Sequence, residues 1–365
     1  TSQMLSCMTD RIKQLNENVN VACYGQELNP ETYAIAKAVM LIKGGDADNF
    51  KQGDTLDDDK FKGYEFDYII SNPPFGIDWK KQKKAIENEV SKGDKGRFPV
   101  GTPKISDGQM LFTLNGIAKL KDDGRMAIIQ NGSPLFSGQA GSGESEIRRY
   151  IIENDWLEAI VQLPTDLFYN TGISTYIWLI NKRKNVMREG KVQLIDASNC
   201  YENRRKNIGN KRKDISEECK NLILKAYNDF QNKEYTENGK SVESKIFKNT
   251  DFGFYRITIE TPEFDENQKI IKDKKGNIKA DSNKRDFENV PLEEDIDEYF
   301  EREVLPYNKN AWIDKKKTQV GYEIPFTRYF YKYVEPEDSD VIEARIRQNE
   351  KDIMSSLEKL FKEDK

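Results

Sequence analysis

Between Asp67 and Trp79 the chain reads DYIISNPPFGIDW, and four consecutive residues in it, Asn72, Pro73, Pro74 and Phe75, are suited to one difficult reaction. The exocyclic amine of a nucleobase is a poor nucleophile because its lone pair is delocalised into the ring. Two acceptors held rigidly at the NH2 hydrogens draw the nitrogen towards tetrahedral geometry and free that pair. The Asn72 side-chain oxygen and the Pro73 carbonyl are such acceptors. The two prolines fix φ at successive positions, so the carbonyl is aimed with little entropy left to lose. Phe75 offers a ring on which a base drawn out of a duplex can stack. The plainer reading is a strand-ending Asn-Pro-Pro turn whose Phe75 fills a gap in the core. The motif alone is weak, and its setting decides between the two.

That setting is an alternation of strand-like and helix-like segments over residues 1–182. VACYG (21–25) is a short apolar run. NPETYAIAKAVMLIKG (29–44) has helical spacing, with Asn29 as N-cap, Pro30 in the first turn and Gly44 as stop. FDYIIS is a strand, residues 106–124 read as a helix, 125–131 as a strand, 145–155 as a helix, and 157–164 and 173–182 as strands. KVQLIDAS (191–198) reads as an added edge strand. The implied fold class is α/β, a mostly parallel sheet flanked by helices, in which ligands sit at the carboxyl ends of the strands. The Asn-Pro-Pro-Phe turn follows one of those ends.

Composition limits the chemistry. The chain has 365 residues, 33% of them charged, a net charge of −5 and no histidine, which removes the commonest general base and metal ligand. A sulfonium methyl donor needs neither. The four cysteines, Cys7, Cys23, Cys200 and Cys219, lack CxxC spacing and read as reduced thiols of a cytoplasmic protein, with no zinc site. No apolar run reaches the roughly eighteen residues of a membrane span, and residues 1–14 lack signal-peptide zones. The negative charge argues against a free-standing nucleic-acid binder, although RRKNIGNKRK (204–213) forms a basic knot.

Three regions follow. Residues 1–200 are the catalytic domain. Residues 201–338 read as a charged, mainly helical extension that contains a polar surface hairpin or insertion at 265–286 and a helix at 291–306. Residues 339–365 hold an amphipathic helix with Ile342, Ile346, Asn349, Ile353, Leu357 and Leu360 at three-four spacing, suited either to a partner chain or to docking on its own domain.

SNPPFG (71–76) resembles the catalytic motif of S-adenosylmethionine-dependent amino-methyltransferases. The flanking segments resemble the modification subunit of type I restriction-modification systems, an adenine-N6 DNA methyltransferase family. They are YGQELNPETYAIAKAVMLIKG (24–44), GDTL (53–56), DGQMLFTLNGIAKLK (107–121), LPTDLFYNTGISTYIWLINK (163–182), GNKRKDI (209–215) and KKTQVGYEIPFTRYFYKY (316–333). The resemblance implies a Rossmann-like methyltransferase fold and S-adenosylmethionine as cofactor.

It also implies residue roles. Glu27 accepts the cofactor's ribose hydroxyls, or is merely an acid at a helix N-terminus. Asp54, with Thr55, receives the adenine amino group of the cofactor, or forms a Gly-Asp turn. Asn72 serves both cofactor and target. Phe168 and Tyr169 support a flipped base or are core aromatics. Lys211 and Arg212 approach DNA phosphate.

Implied partners are double-stranded DNA with a flipped adenine, a specificity subunit, a restriction subunit and a second copy of the chain. In the family a glycine-rich loop cradles the methionine end of the cofactor before the YGQE strand. No GxG pattern occurs between Thr1 and Val21, so the domain reads as N-terminally incomplete, and weak or no cofactor binding is expected from these 365 residues alone. Alternatives are a methyltransferase acting on RNA or protein glutamine, or an inactive scaffold.

Overall fold

The structure, a computed structural model, describes residues 2–273, 275–333 and 335–362, with side chains through Leu357. After helix α1 (Gln3–Leu15), strands β1 (Gly25–Glu27) and β2 (Phe50–Gln52) pair in parallel. Helix α2 (Pro30–Ile42), between them, starts as expected. Asn29 Oδ1 accepts from Thr32 N at 3.0 Å, and Pro30 stands where no N–H is needed. The strand expected at 21–25 forms later, because only Gly25–Glu27 find a ladder partner.

Next come β3 (Phe66–Ser71), α3 (Lys83–Val90), α4 (Gln109–Ala118), β4 (Leu120–Asn131), the single turn α5 (Ser133–Phe136), α6 (Gly143–Glu153), β5 (Leu157–Gln162), β6 (Thr175–Asn181) and β7 (Lys191–Asp196). The helix expected over 106–124 ends early. Lys119 Nζ is buried against Asp59 Oδ2 (2.8 Å) and Phe61 O (2.7 Å), and Leu120 already pairs with Phe66.

Beyond residue 200 lie β8 (Glu202–Ile208), β9 (Lys211–Asp214), α7 (Glu217–Asp229), β10 (Lys233–Glu237), β11 (Lys240–Lys248), β12 (Gly253–Glu260), β13 (Asp286–Pro291), α8 (Ile296–Tyr299), β14 (Trp312–Ile313), β15 (Gln319–Tyr322) and α9 (Phe326–Phe330). The extension expected to be mainly helical is therefore largely sheet. Its buried Tyr235, Val242 and Ser244 alternate with charged neighbours at strand spacing. The polar stretch expected at 265–286 is hairpin-like, with bridges Pro262–Ala280, Phe264–Ile270 and Lys272–Ile278.

The main sheet has seven strands in the order β10-β11-β7-β5-β6-β4-β3. It is α/β as expected but mixed rather than mostly parallel: β3–β4 and β5–β7 are parallel, and the other four pairings are antiparallel. A parallel neighbour needs a crossover, usually a helix. β6 returns from β5 through a loop without one, and β10–β11 is a hairpin. β7, expected at the edge, is internal because β11 lies on it.

The core follows the burial of the strands. β5 is buried on both faces. Buried Leu111, Leu114, Ile147 and Ile151 come from α4 and α6, and Leu222 and Ala226 of α7 pack with Val161, Ile195 and Val242.

Two compact units divide the chain, Thr1–Phe326 and Thr327–Lys365. The boundary expected at residue 200 does not interrupt the first, since β10 and β11 extend its sheet. The second holds α10 (Ser339–Lys362), the expected terminal helix, with Ile342, Ile346, Asn349, Ile353 and Leu357 exposed. The Leu360 side chain and residues 363–365 lie outside the described residues. Among the described residues no helix is long and apolar enough to cross a membrane.

Candidate active site

β3, β4, β5 and β7 all run in one direction, so the residues that follow them share one edge of the sheet. The turn lies there, with Ser71 opposite Ile128 of β4. Pro73 is buried, Phe75 half-buried, and Asn72 and Pro74 are exposed. No donor among the described residues engages the Asn72 side chain or the Pro73 carbonyl. Both acceptors are free.

The turn is held from behind. Gly108 N donates to Ile77 O at 2.9 Å, Trp79 N to Ile105 O at 3.1 Å, and Trp79 Nε1 to Lys104 O at 3.0 Å. Buried Gln109 joins this clamp to the end of β4. It accepts from Asn131 N through Oε1 (3.0 Å) and donates through Nε2 to Asn131 Oδ1 (3.0 Å) and Asp107 Oδ1 (2.9 Å). Sequence reading took 106–108 as helix and missed this clamp, although Asp107-Gly108 before an apolar run is a helix-start signal.

Glu27 ends β1, half-buried; its Oε1 accepts from Asn29 N at 2.9 Å. Asp54 follows β2. Its Oδ1 accepts from Leu56 N at 2.9 Å and its Oδ2 from Gln82 Nε2 at 2.7 Å. Gln82 lies just beyond the Asn-Pro-Pro-Phe turn, so this bond ties the end of β2 to the segment after β3. Its Oε1 is buried and has no hydrogen-bond partner among the described residues. The Thr55 carbonyl is occupied by Arg97 Nη1 (2.7 Å), which also reaches Asn115 Oδ1 (2.9 Å). Glu27 and Asp54, the latter oriented by Gln82, are acceptors suited to a ligand carrying a diol and an exocyclic amine, and S-adenosylmethionine has both. Sequence reading did not find Gln82.

Phe168 and Tyr169 occupy the loop after β5, three strand positions from β3, roughly 14 Å at the usual spacing. The structure separates them. Phe168 packs on the core cluster around Val161, Leu163 and Cys200, whereas Tyr169 is 60% exposed. Lys211 Nζ lies 5.4 Å from the centre of the Tyr169 ring and pairs with Asp214 at 2.9 Å. Arg212 points into solvent without an acidic partner among the described residues. A cavity of about 520 Å³ opens at the opposite edge of the sheet, lined by Tyr64, Lys95, Trp156 and Lys182 among others. None of the sequence-predicted residues lines it.

Residues 1–269 match the family described as N-6 DNA Methylase. The MjaIX type I restriction enzyme methylase subunit of Methanocaldococcus jannaschii is 34% identical over 192 residues, 52% of this chain and 33% of that protein. The HindI methylase subunit of Haemophilus influenzae is 37% identical over 186 residues, 49% of this chain and 38% of that protein. The chain thus spans about a third of the length of the curated relatives it matches. Among solved structures, the type I restriction-modification methyltransferase subunit from Streptococcus thermophilus superposes with a TM-score of 0.53 at 25% identity, covering 63% of this chain and 45% of that one.

Proposed function

The chain belongs to the N-6 DNA methylase family, and on that premise we propose that it transfers a methyl group from S-adenosylmethionine to adenine N6 in DNA. It does so as the modification subunit of a type I restriction-modification complex in the cytoplasm. The observation that carries this is the pair of free acceptors, Asn72 Oδ1 and Pro73 O, on a proline-fixed turn at the carboxyl edge of the sheet. They take the two N6 hydrogens of an adenine turned out of the duplex, and Phe75 stacks on its ring. With the methyl donor bound, that lone pair would form the N–C bond as the S–CH3 bond breaks and its electron pair leaves on the sulfur as a neutral thioether, and the nitrogen would give up one proton to solvent.

S-adenosylmethionine supplies the electrophilic methyl group. Glu27 takes its ribose hydroxyls; Asp54, with Gln82 beside it and Thr55 next in the chain, takes its adenine amine. Asn72 serves both cofactor and target base.

The division of labour is proposed on the same premise. Residues 1–200 carry the reaction, 201–338 support and extend it, and the helix in 339–365 meets the specificity subunit. Exposed Ile342, Ile346 and Ile353 on α10 support a helix that buries its face against another chain. The assembly includes a second copy of the chain and a restriction subunit.

The test incubates the complex with its specificity subunit, duplex DNA and methyl-labelled cofactor, then identifies the modified nucleoside by mass spectrometry. N6-methyladenine is expected. Label in N4-methylcytosine, in RNA or in a protein glutamine amide, or no label at all, contradicts the proposal.

A further inference from the structure

The β8–β9 hairpin stands outside the main sheet, and a lone two-stranded hairpin is at best marginally stable in water. What holds it is the loop after β5. Asn210 N donates to Tyr169 O at 2.9 Å, and Arg212 N and Lys213 N donate to Asp166 O at 2.8 and 3.2 Å. Lys213 Nζ donates to Thr165 Oγ1 at 3.2 Å. Gly209 lies at the hairpin turn with φ +58°, and a Cβ there would meet Tyr169 O at 2.5 Å. Only glycine lets the two backbones approach this closely.

Between Glu202 and Asp214 there are six cations and two acids, in a chain whose net charge is −5. The cations divide by contact. Arg204 and Lys211 pair with Asp214, at 2.5 and 2.9 Å, and Lys213 lies 3.8 Å from the centre of the Tyr201 ring. Arg205, Lys206 and Arg212 are exposed and have no acidic partner among the described residues. Three unpaired cations on a ribbon tethered to the Tyr169 loop fit a polyanionic backbone.

We infer that this hairpin is a phosphate-binding arm mechanically joined to the Tyr169 loop, which leaves the same edge of the sheet as the Asn72 turn. Arg205, Lys206 and Arg212 contact nucleic-acid phosphates. The hydrogen bonds to Asp166 and Tyr169 transmit that contact to the position of the Tyr169 ring. Lys211 is a positioning residue: it sits over Tyr169 and does not touch phosphate. The inference rests on the DNA reading above, and adds which groups bind the backbone and that the Tyr169 loop couples this binding to base extrusion.

The test uses the complex with its specificity subunit, a duplex carrying its methylation site, and 2-aminopurine at the target adenine. Replacing Arg205, Lys206 and Arg212 together by Ala is expected to reduce the slope of log affinity against log salt by about 3. Gly209→Ala keeps every cation, so it is expected to leave the slope unchanged yet lose most of the fluorescence rise that reports base extrusion. Lys211→Met, which preserves the aliphatic packing, is expected to weaken that rise several-fold with the slope intact.

An unchanged slope in the triple variant overturns the phosphate arm. An undiminished 2-aminopurine signal in both Gly209→Ala and Lys211→Met overturns the coupling. A wild-type complex that binds no duplex DNA takes down the DNA reading itself along with this inference.

Discussion

At Asn72 the local chemistry and the local conformation agree: an amide free of protein donors is followed by a carbonyl that two prolines hold in place. Because the Asn72 side chain is exposed and makes no hydrogen bond among the described residues, its replacement costs the fold little. Asn72→Ala is expected to lower kcat by about 10²- to 10³-fold while folding stability stays within about 0.5 kcal/mol of wild type; methyl-transfer kinetics and urea denaturation check the two halves. Gln82→Leu is a second case. Removing the orphaned Oε1 and the Asp54 partner is expected to weaken S-adenosylmethionine binding about tenfold by calorimetry, and an unchanged affinity would remove Gln82 from the cofactor site. Asn72 was legible because its chemistry sits in four adjacent residues. Gln82 was not, because the residue that gives it meaning, Asp54, lies 28 positions upstream.

Among the elements, short apolar runs marked β3, β5 and β6; β5 and β6 are buried on both faces and carry the core, whereas β3 has no fully buried residue and was marked by Tyr68-Ile69-Ile70 alone. Strand direction was not legible: nothing inside TYIWLIN shows that β6 returns antiparallel. The extension was misread although Asn238-Gly239 is a hairpin signal. Both residues have positive φ, +47° and +77°, in the turn joining β10 to β11.

Packing between elements yields two stability predictions. Buried Arg148 on α6 donates to Tyr322 O at 2.5 Å and Pro134 O at 3.0 Å, and Tyr322 N donates to Ser145 Oγ at 2.9 Å, stitching β15 to α6 and α5. Burial lowers the Arg148 pKa to about 10. Arg148→Met leaves two buried carbonyls without donors and is expected to cost about 2–4 kcal/mol in urea denaturation.

The second concerns acid. Burial raises the Asp59 pKa, but the hydrogen bonds from Lys119 and Phe61 N and the charges of Lys119 and Arg97 outweigh it, so the net shift is downward from 3.8. A carboxylate with a depressed folded pKa contributes stability that is fully present above its unfolded value and lost as pH falls through the folded one. Wild type should therefore lose stability below about pH 4 more steeply than Asp59→Asn, when melting temperature is followed against pH.

For the whole molecule, a net charge of −5 and a basic hairpin are compatible because six of the 58 Lys and Arg residues stand in the run 204–213, which holds no acid, so the local charge differs in sign from the total. The division at Phe326 sets a sheet-centred body apart from a terminal helix with an exposed apolar stripe.

The most direct test of the central claim is to co-express the complete gene product with its specificity subunit and map modified bases in host DNA by single-molecule sequencing, beside a matched Asn72→Ala strain. N6-methyladenine at one recognition site, absent from the variant whose complex still assembles, is the predicted result. Unmodified DNA from an assembled wild-type complex, or full modification in the variant, would contradict it.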